Sequence, residues 1–160
     1  MRAWRIYPHT AMYAHEVGFD PLDGAGGRVS AGRWNEPGYP VIYAADSASL
    51  AALETLANLA TSDRFGERTI LEIDVPGEPE SVALEHALRL REDAPPDDPE
   101  ELTRAFGTQW LKERRTLALV VPSFVMPYDR NAFINPLHEQ AKALTVLRSD
   151  RLRLDGRLLR

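Results

Sequence analysis

Between its first threonine and the Pro-Ser that ends it, the run TLALVVPS (Thr116 to Ser123) carries only apolar side chains. A strand without a polar face has to be covered on both sides, so the chain must build layers around it. Other strand-like runs surround it in sequence. RAWRIYP stands near the start, PVIYAA supplies Val41 to Ala45, and RTILEIDVP alternates until Pro76. KALTVLRS and RLRLDGRLL read as one or two closing strands, with Asp155-Gly156 as a hairpin turn. DSASLAALETLANLA reads as a helix that Asp46 or Ser47 can cap. DDPEELTRAFGTQWLKER reads as a second, with Asp98 as cap and Pro99 in the first turn. Its acids sit at the positive end, and Lys112, Arg114 and Arg115 near the negative one. SVALEHALRL is ambiguous, residues 8–40 read as loop, and FVMPYDRNAFINPLHEQ as an irregular segment. Strands scattered among few helices predict an α+β fold, a mixed β-sheet core with flanking helices. The strict alternation of a doubly wound sheet is absent.

Length and charge narrow the function. A chain of 160 residues fits one domain with a real core. Nineteen basic against 24 acidic residues leave a net charge of −5, the wrong sign for a general grip on nucleic acid. With no cysteine, disulfides and thiolate metal sites are excluded. No apolar run approaches the roughly 18 residues of a membrane span, and MRAWRIYPHT lacks a secretory apolar core. These observations predict a cytoplasmic protein that touches neither membrane nor nucleic acid directly. EDAPPDDPEE carries six acids and no base. It reads as a solvated loop or as a docking surface for a protein partner.

The stretch GGRVSAGRWN holds Arg28 and Arg33 on glycine-rich backbone, with Gly32 immediately before Arg33. Guanidinium groups beside glycines suit an anion such as phosphate, although surface arginines would look the same. Neither a dinucleotide fingerprint nor a P-loop fits, because the strand-to-helix context and the terminal Lys-Ser/Thr are missing. On a helical wheel Leu50, Leu53, Leu56, Ala57 and Ala60 form an apolar stripe. Glu54 sits at its border, either on the surface or facing a cleft. Tyr43, between apolar neighbours, is a core aromatic or a site residue. Ser123 stands where the buried strand ends and can donate a hydrogen bond, but no G-x-S-x-G surrounds it. His9, His15, His86 and His138 have no metal-ligand spacing, so no metal is expected.

Taken together, GRWNEPGYPVIYAADSASLAALETL and FGTQWLKERRTLALVVPSFVMPYDRNAFINPLH, with WRI and DGAGGRVSAGRWN before them, resemble the RES domain family over nearly the whole chain. The resemblance implies a single RES domain over residues 1–160 with an ADP-ribosyltransferase-like fold. It implies a bacterial toxin that degrades NAD⁺ by hydrolysis or phosphorolysis. A transferase modifying a protein target, or a non-catalytic antitoxin-binding module, are the alternatives. It places Arg33, Tyr43, Glu54 and Ser123 at catalytic positions. Arg28, Gly32, Arg33, Tyr43, Ser123 and Asn135 fall at nucleotide-binding ones. NAD⁺ would be a consumed substrate, with no separate cofactor. The implied partner is an Xre-type antitoxin, and a homodimer within that complex is compatible with the resemblance.

Overall fold

The structure, a computed structural model, describes residues 1–8, 19–59 and 65–159. Within these residues seven strands form one sheet: β1 (Arg2–Pro8), β2 (Ile42–Ala45), β3 (Arg68–Asp74), β4 (Glu80–Ser81), β5 (Ala118–Pro122), β6 (Arg130–Ile134) and β7 (Thr145–Arg151). Among the described residues four helices accompany them: α1 (Ala25–Val29), α2 (Ala48–Ala57), α3 (Leu84–Glu92) and α4 (Glu101–Glu113). The spatial order is β4-β5-β6-β2-β1-β3-β7. Only β4 and β5 run parallel, so the sheet is mixed and the fold is α+β.

The strand that demanded two covers has them. Ala118 and Val120 of β5 enter one cluster with Ile42, Leu71, Ile73 and Ile134. Leu119 and Val121 enter another with Trp34, Trp110, Leu111 and Phe133. Alternation along β5 therefore feeds two cores on opposite faces of the sheet. α3 and α4 supply the second cluster through Ala87, Trp110 and Leu111. α2 packs Leu50 and Ala51 on Ala45, beside Trp4 and Ile6.

β6 was not expected. Its flanks are rich in proline and polar residues, and the run itself opens Arg-Asn, which hides the alternation. It forms because β2 and β5 bracket it and complete its hydrogen bonds on both sides. The glycine-rich segment is not all loop either, since Ala25–Val29 is a short helix. Ser47 caps α2 as expected, accepting from the Leu50 amide at 3.1 Å. Asp98 does not cap α4: that helix starts after Glu100, without a side-chain cap. Asp98 is held instead in an ion pair with Arg104. No hairpin forms at Asp155-Gly156, where Gly156–Leu159 makes a 3₁₀ turn. β7 is an exposed edge strand, and its Arg148, Asp150 and Arg151 place charge along that edge.

Candidate active site

The site lies on one face of the sheet, because period-2 alternation puts side chains from several strands there. Tyr43 of β2 pairs with Phe133 of β6, and Ala45 with Asn131. Asn131 pairs in turn with Val121 of β5, and Ser123 follows two residues later on the same side. Trp4 of β1 stands opposite Ala45. α2 lies over this face with Glu54 directed toward it.

The orientation of α2 departs from the apolar stripe. Leu53 and Ala57 are exposed and Leu56 is half-buried, while Ala60 lies outside the described residues. The inward face instead carries Leu50, Ala51, Glu54, Thr55 and Asn58. The helix is thus rotated by roughly a third of a turn from the arrangement its leucines suggest. Polar partners across the gap account for this. Ser123 Oγ donates to Glu54 Oε1 at 2.7 Å, and Asn131 Nδ2 donates to the same oxygen at 2.6 Å. Asn58 Nδ2 donates to the Glu54 carbonyl at 2.8 Å. A half-buried carboxylate has to be hydrogen-bonded, and here two donors satisfy one of its oxygens.

Each residue of GRWN has a separate task. Asn35 is fully buried. Its Nδ2 donates to the carbonyls of Gly27 at 3.2 Å and Glu36 at 3.0 Å. Its Oδ1 accepts from the Gly32 amide at 3.0 Å and from the Tyr43 hydroxyl at 2.5 Å. Burial pushes the Tyr43 phenol above its usual range, so it stays protonated and donating. Its ring packs on Phe133 with centroids 4.6 Å apart. Trp34 is buried among Phe106, Phe124 and Phe133. Arg33 holds Glu100 through Nε at 3.0 Å, and its side chain remains 38% exposed. The acidic run is therefore partly committed, since Asp98 pairs with Arg104 and Glu100 with Arg33.

Two cavities meet at this point. One, of about 330 Å³, lies between α2 and β1, with Trp4, Ile6, Thr55 and Arg68 in its wall. The other, of about 250 Å³, is bounded by Gly32, Arg33, Trp34 and Phe124. Both are lined by Tyr43, Glu54, Asn58 and Asn131, so Glu54 stands where the two lobes join. Concave volume of this order, with aromatic walls and polar groups converging from α2, β6 and the segment before β2, suits a small polar organic ligand.

Of the residues picked from sequence, Gly32, Arg33, Tyr43 and Glu54 line this cleft. Ser123 is fully buried behind Glu54 and bonds to it rather than lining either lobe. Arg28 is exposed on α1 and lines neither lobe. Asn135 is not a pocket residue: it is buried, donates to the Leu111 carbonyl at 2.9 Å and accepts from the Leu137 amide at 3.0 Å. It ties the end of β6 to α4. The asparagines of the site are Asn131, Asn58 and Asn35. Recognising 130–134 as a strand would have revealed Asn131, because alternation then places it beside Ser123 and Tyr43. Among the described residues no group of three His, Asp or Glu side chains could hold a metal. His138 accepts from the Gln140 amide and His86 meets the Phe106 ring, while His9 and His15 lie outside the described residues.

The RES domain family profile matches residues 2–155. A relative from Sphingobium, named Prs ADP-ribosylating toxin, is 36% identical, covering 98% of this chain and 96% of its own length. A Pseudomonas putida relative named Toxin Res is 37% identical over 78% of this chain and 84% of its own. Among solved structures, the fold is similar to that in the M. tuberculosis MbcT-MbcA toxin-antitoxin complex. The TM-score there is 0.66 at 20% identity, covering 94% of this chain and 83% of that one. The chain belongs to the RES domain family.

Proposed function

We propose that this RES domain is the toxin of a toxin–antitoxin pair and that it consumes NAD⁺ by cleaving the bond between nicotinamide and ribose. The observation that carries the reading is Glu54, a carboxylate held at the junction of two cavities on a wall built from three strands and a helix. Nicotinamide in NAD⁺ is a cationic leaving group. When its bond to ribose C1″ breaks, the electron pair goes to the ring nitrogen and the sugar becomes oxocarbenium-like. A carboxylate beside that sugar stabilises the developing charge, as in glycoside hydrolysis. An oxygen of water or inorganic phosphate then bonds to C1″ and gives up a proton.

Arg33 at the rim of the smaller lobe supplies a cation for the pyrophosphate. The Tyr43 ring offers an apolar surface to the nicotinamide, while its hydroxyl stays committed to Asn35. NAD⁺ is the substrate in this scheme, and no further cofactor takes part. A small antitoxin is the expected partner. The name of the complex with a similar fold supports that expectation. A cytoplasmic site of action follows from the substrate, and no helix among the described residues is long and apolar enough to cross a membrane.

A second reading has its own support. The Sphingobium relative carries ADP-ribosylation of Prs in its name, which would correspond to transfer of the same activated ribose to an acceptor. One experiment separates the two. Purified protein is incubated with NAD⁺, with and without phosphate and with and without a cell extract, and the products are read by mass spectrometry. Free ADP-ribose or ADP-ribose-1″-phosphate supports degradation. A protein gaining an ADP-ribose mass supports transfer. Unchanged NAD⁺ in every arm overturns both.

A further inference from the structure

We propose that Asn131 is a positioning residue for the reaction. With Ser123 it clamps one oxygen of Glu54 and leaves the other for the substrate sugar. The inference rests on the functional reading above and deepens it at the same site.

The clamp is one-sided. Glu54 Oε1 accepts from Ser123 Oγ at 2.7 Å and from Asn131 Nδ2 at 2.6 Å. Among the described residues no donor reaches Oε2. Neither donor can readily turn away. The Ser123 hydroxyl also accepts from the amides of Val125 at 3.1 Å and Met126 at 3.0 Å. Its two lone pairs are thereby filled, and its one proton is left for Glu54. Ser123 is fully buried, so water does not compete for that proton.

Asn131 is fixed by its backbone, which is paired with Ala45 on one side and Val121 on the other. Its amide nitrogen carries two hydrogens and can only donate. Both partners therefore donate to the same carboxylate oxygen and fix the plane of the group. A carboxylate free to rotate at the cavity junction would present its oxygens to the sugar only part of the time. Fixing Oε1 from behind removes that freedom before substrate arrives, which is where positioning yields rate. Ser123 acts by the same route. It lines neither lobe, so its contribution runs through Glu54 and not through direct contact with the nucleotide.

Two variants of Asn131 distinguish donation from mere packing. Asn131→Ala removes the donor and some volume. Asn131→Asp keeps the shape, removes the donor and sets a second carboxylate against Glu54. Packing alone makes the isosteric Asp the milder change, whereas donation to Glu54 makes it the more severe. NAD⁺ consumption is measured at steady state, with folding followed by thermal melts. The expected result is that Asn131→Ala lowers kcat by about tenfold or more. KM stays within about threefold, Asn131→Asp lowers kcat further than Ala, and Ser123→Ala reproduces the kcat loss. Should one variant fail to fold, the others carry the comparison with wild type. Active wild type with Asn131→Ala at wild-type kcat, or with Asn131→Asp the milder change, or with the loss confined to KM, overturns this proposal alone. Wild type that leaves NAD⁺ intact overturns the functional reading and this proposal with it.

Discussion

Gly32 and the Tyr43 ring lie so close that a methyl group on Gly32 would stand 2.7 Å from Tyr43 Cζ and overlap its hydroxyl. The glycine before Arg33 is thus required by packing, since it lets the Tyr43 hydroxyl reach Asn35 at 2.5 Å. Gly32→Ala should push the ring away from Asn35 and destabilise the protein by about 1–3 kcal/mol, as overpacking does. Urea denaturation measures this. An unchanged midpoint would show that the ring has room to move.

Glu54→Gln should lower NAD⁺ turnover by at least about tenfold, roughly 1.4 kcal/mol of barrier. The amide oxygen can still accept from Ser123 and Asn131, so the melting temperature should stay near that of wild type. Steady-state rates beside a thermal melt check both halves. Wild-type turnover in this variant would remove Glu54 from the chemistry.

Arg33→Ala should weaken NAD⁺ binding more than it disturbs folding. The Arg33 side chain is 38% exposed, and its pairing with Glu100 belongs to the partly solvated class, worth about 0–1 kcal/mol. Calorimetric titration with NAD⁺, set beside denaturation, reads the two effects separately. Comparable losses in both would assign Arg33 to the scaffold.

Tyr43 gives stability a dependence on alkaline pH. Burial raises the phenol of the folded state above its ordinary value. Above about pH 10 the unfolded chain loses that proton while the folded chain keeps it. Unfolding then releases a proton, and stability falls by up to about 1.4 kcal/mol per pH unit. Below that range the term is fully present and constant. Tyr43→Phe should be less stable at neutral pH, since Asn35 loses a donor, yet show a flatter decline between pH 9 and 11. Denaturant midpoints across that range test the difference, and parallel curves for the two proteins would contradict it.

The residues that were legible share a property: their local pattern already contained the reason for their placement. Ser47 sits where a helix needs a cap, and β5 has no polar face to expose. Glu54 and Arg33 could be picked because the motifs around them resemble those of a family. Asn131 and Asn135 could not be told apart this way. They lie four residues apart at the two ends of one sequence run, and only strand pairing shows that one faces the cleft while the other binds the Leu111 carbonyl. Likewise, nothing local distinguishes Arg28 on the surface from Arg33 at the rim of the cleft.

The sequence by itself determined that this chain builds a layered α+β domain around a doubly covered strand, because apolar periodicity is a local property. It also marked Arg33, Tyr43 and Glu54 as the groups to watch. Tertiary structure alone decided which way α2 turns. Its leucines would bury one face, but the donors of Ser123 and Asn131 hold Glu54 inward, and satisfying a half-buried carboxylate outweighs covering Leu53 and Ala57. Those donors come from 69 and 77 residues further along the chain, a distance over which no local pattern carries information.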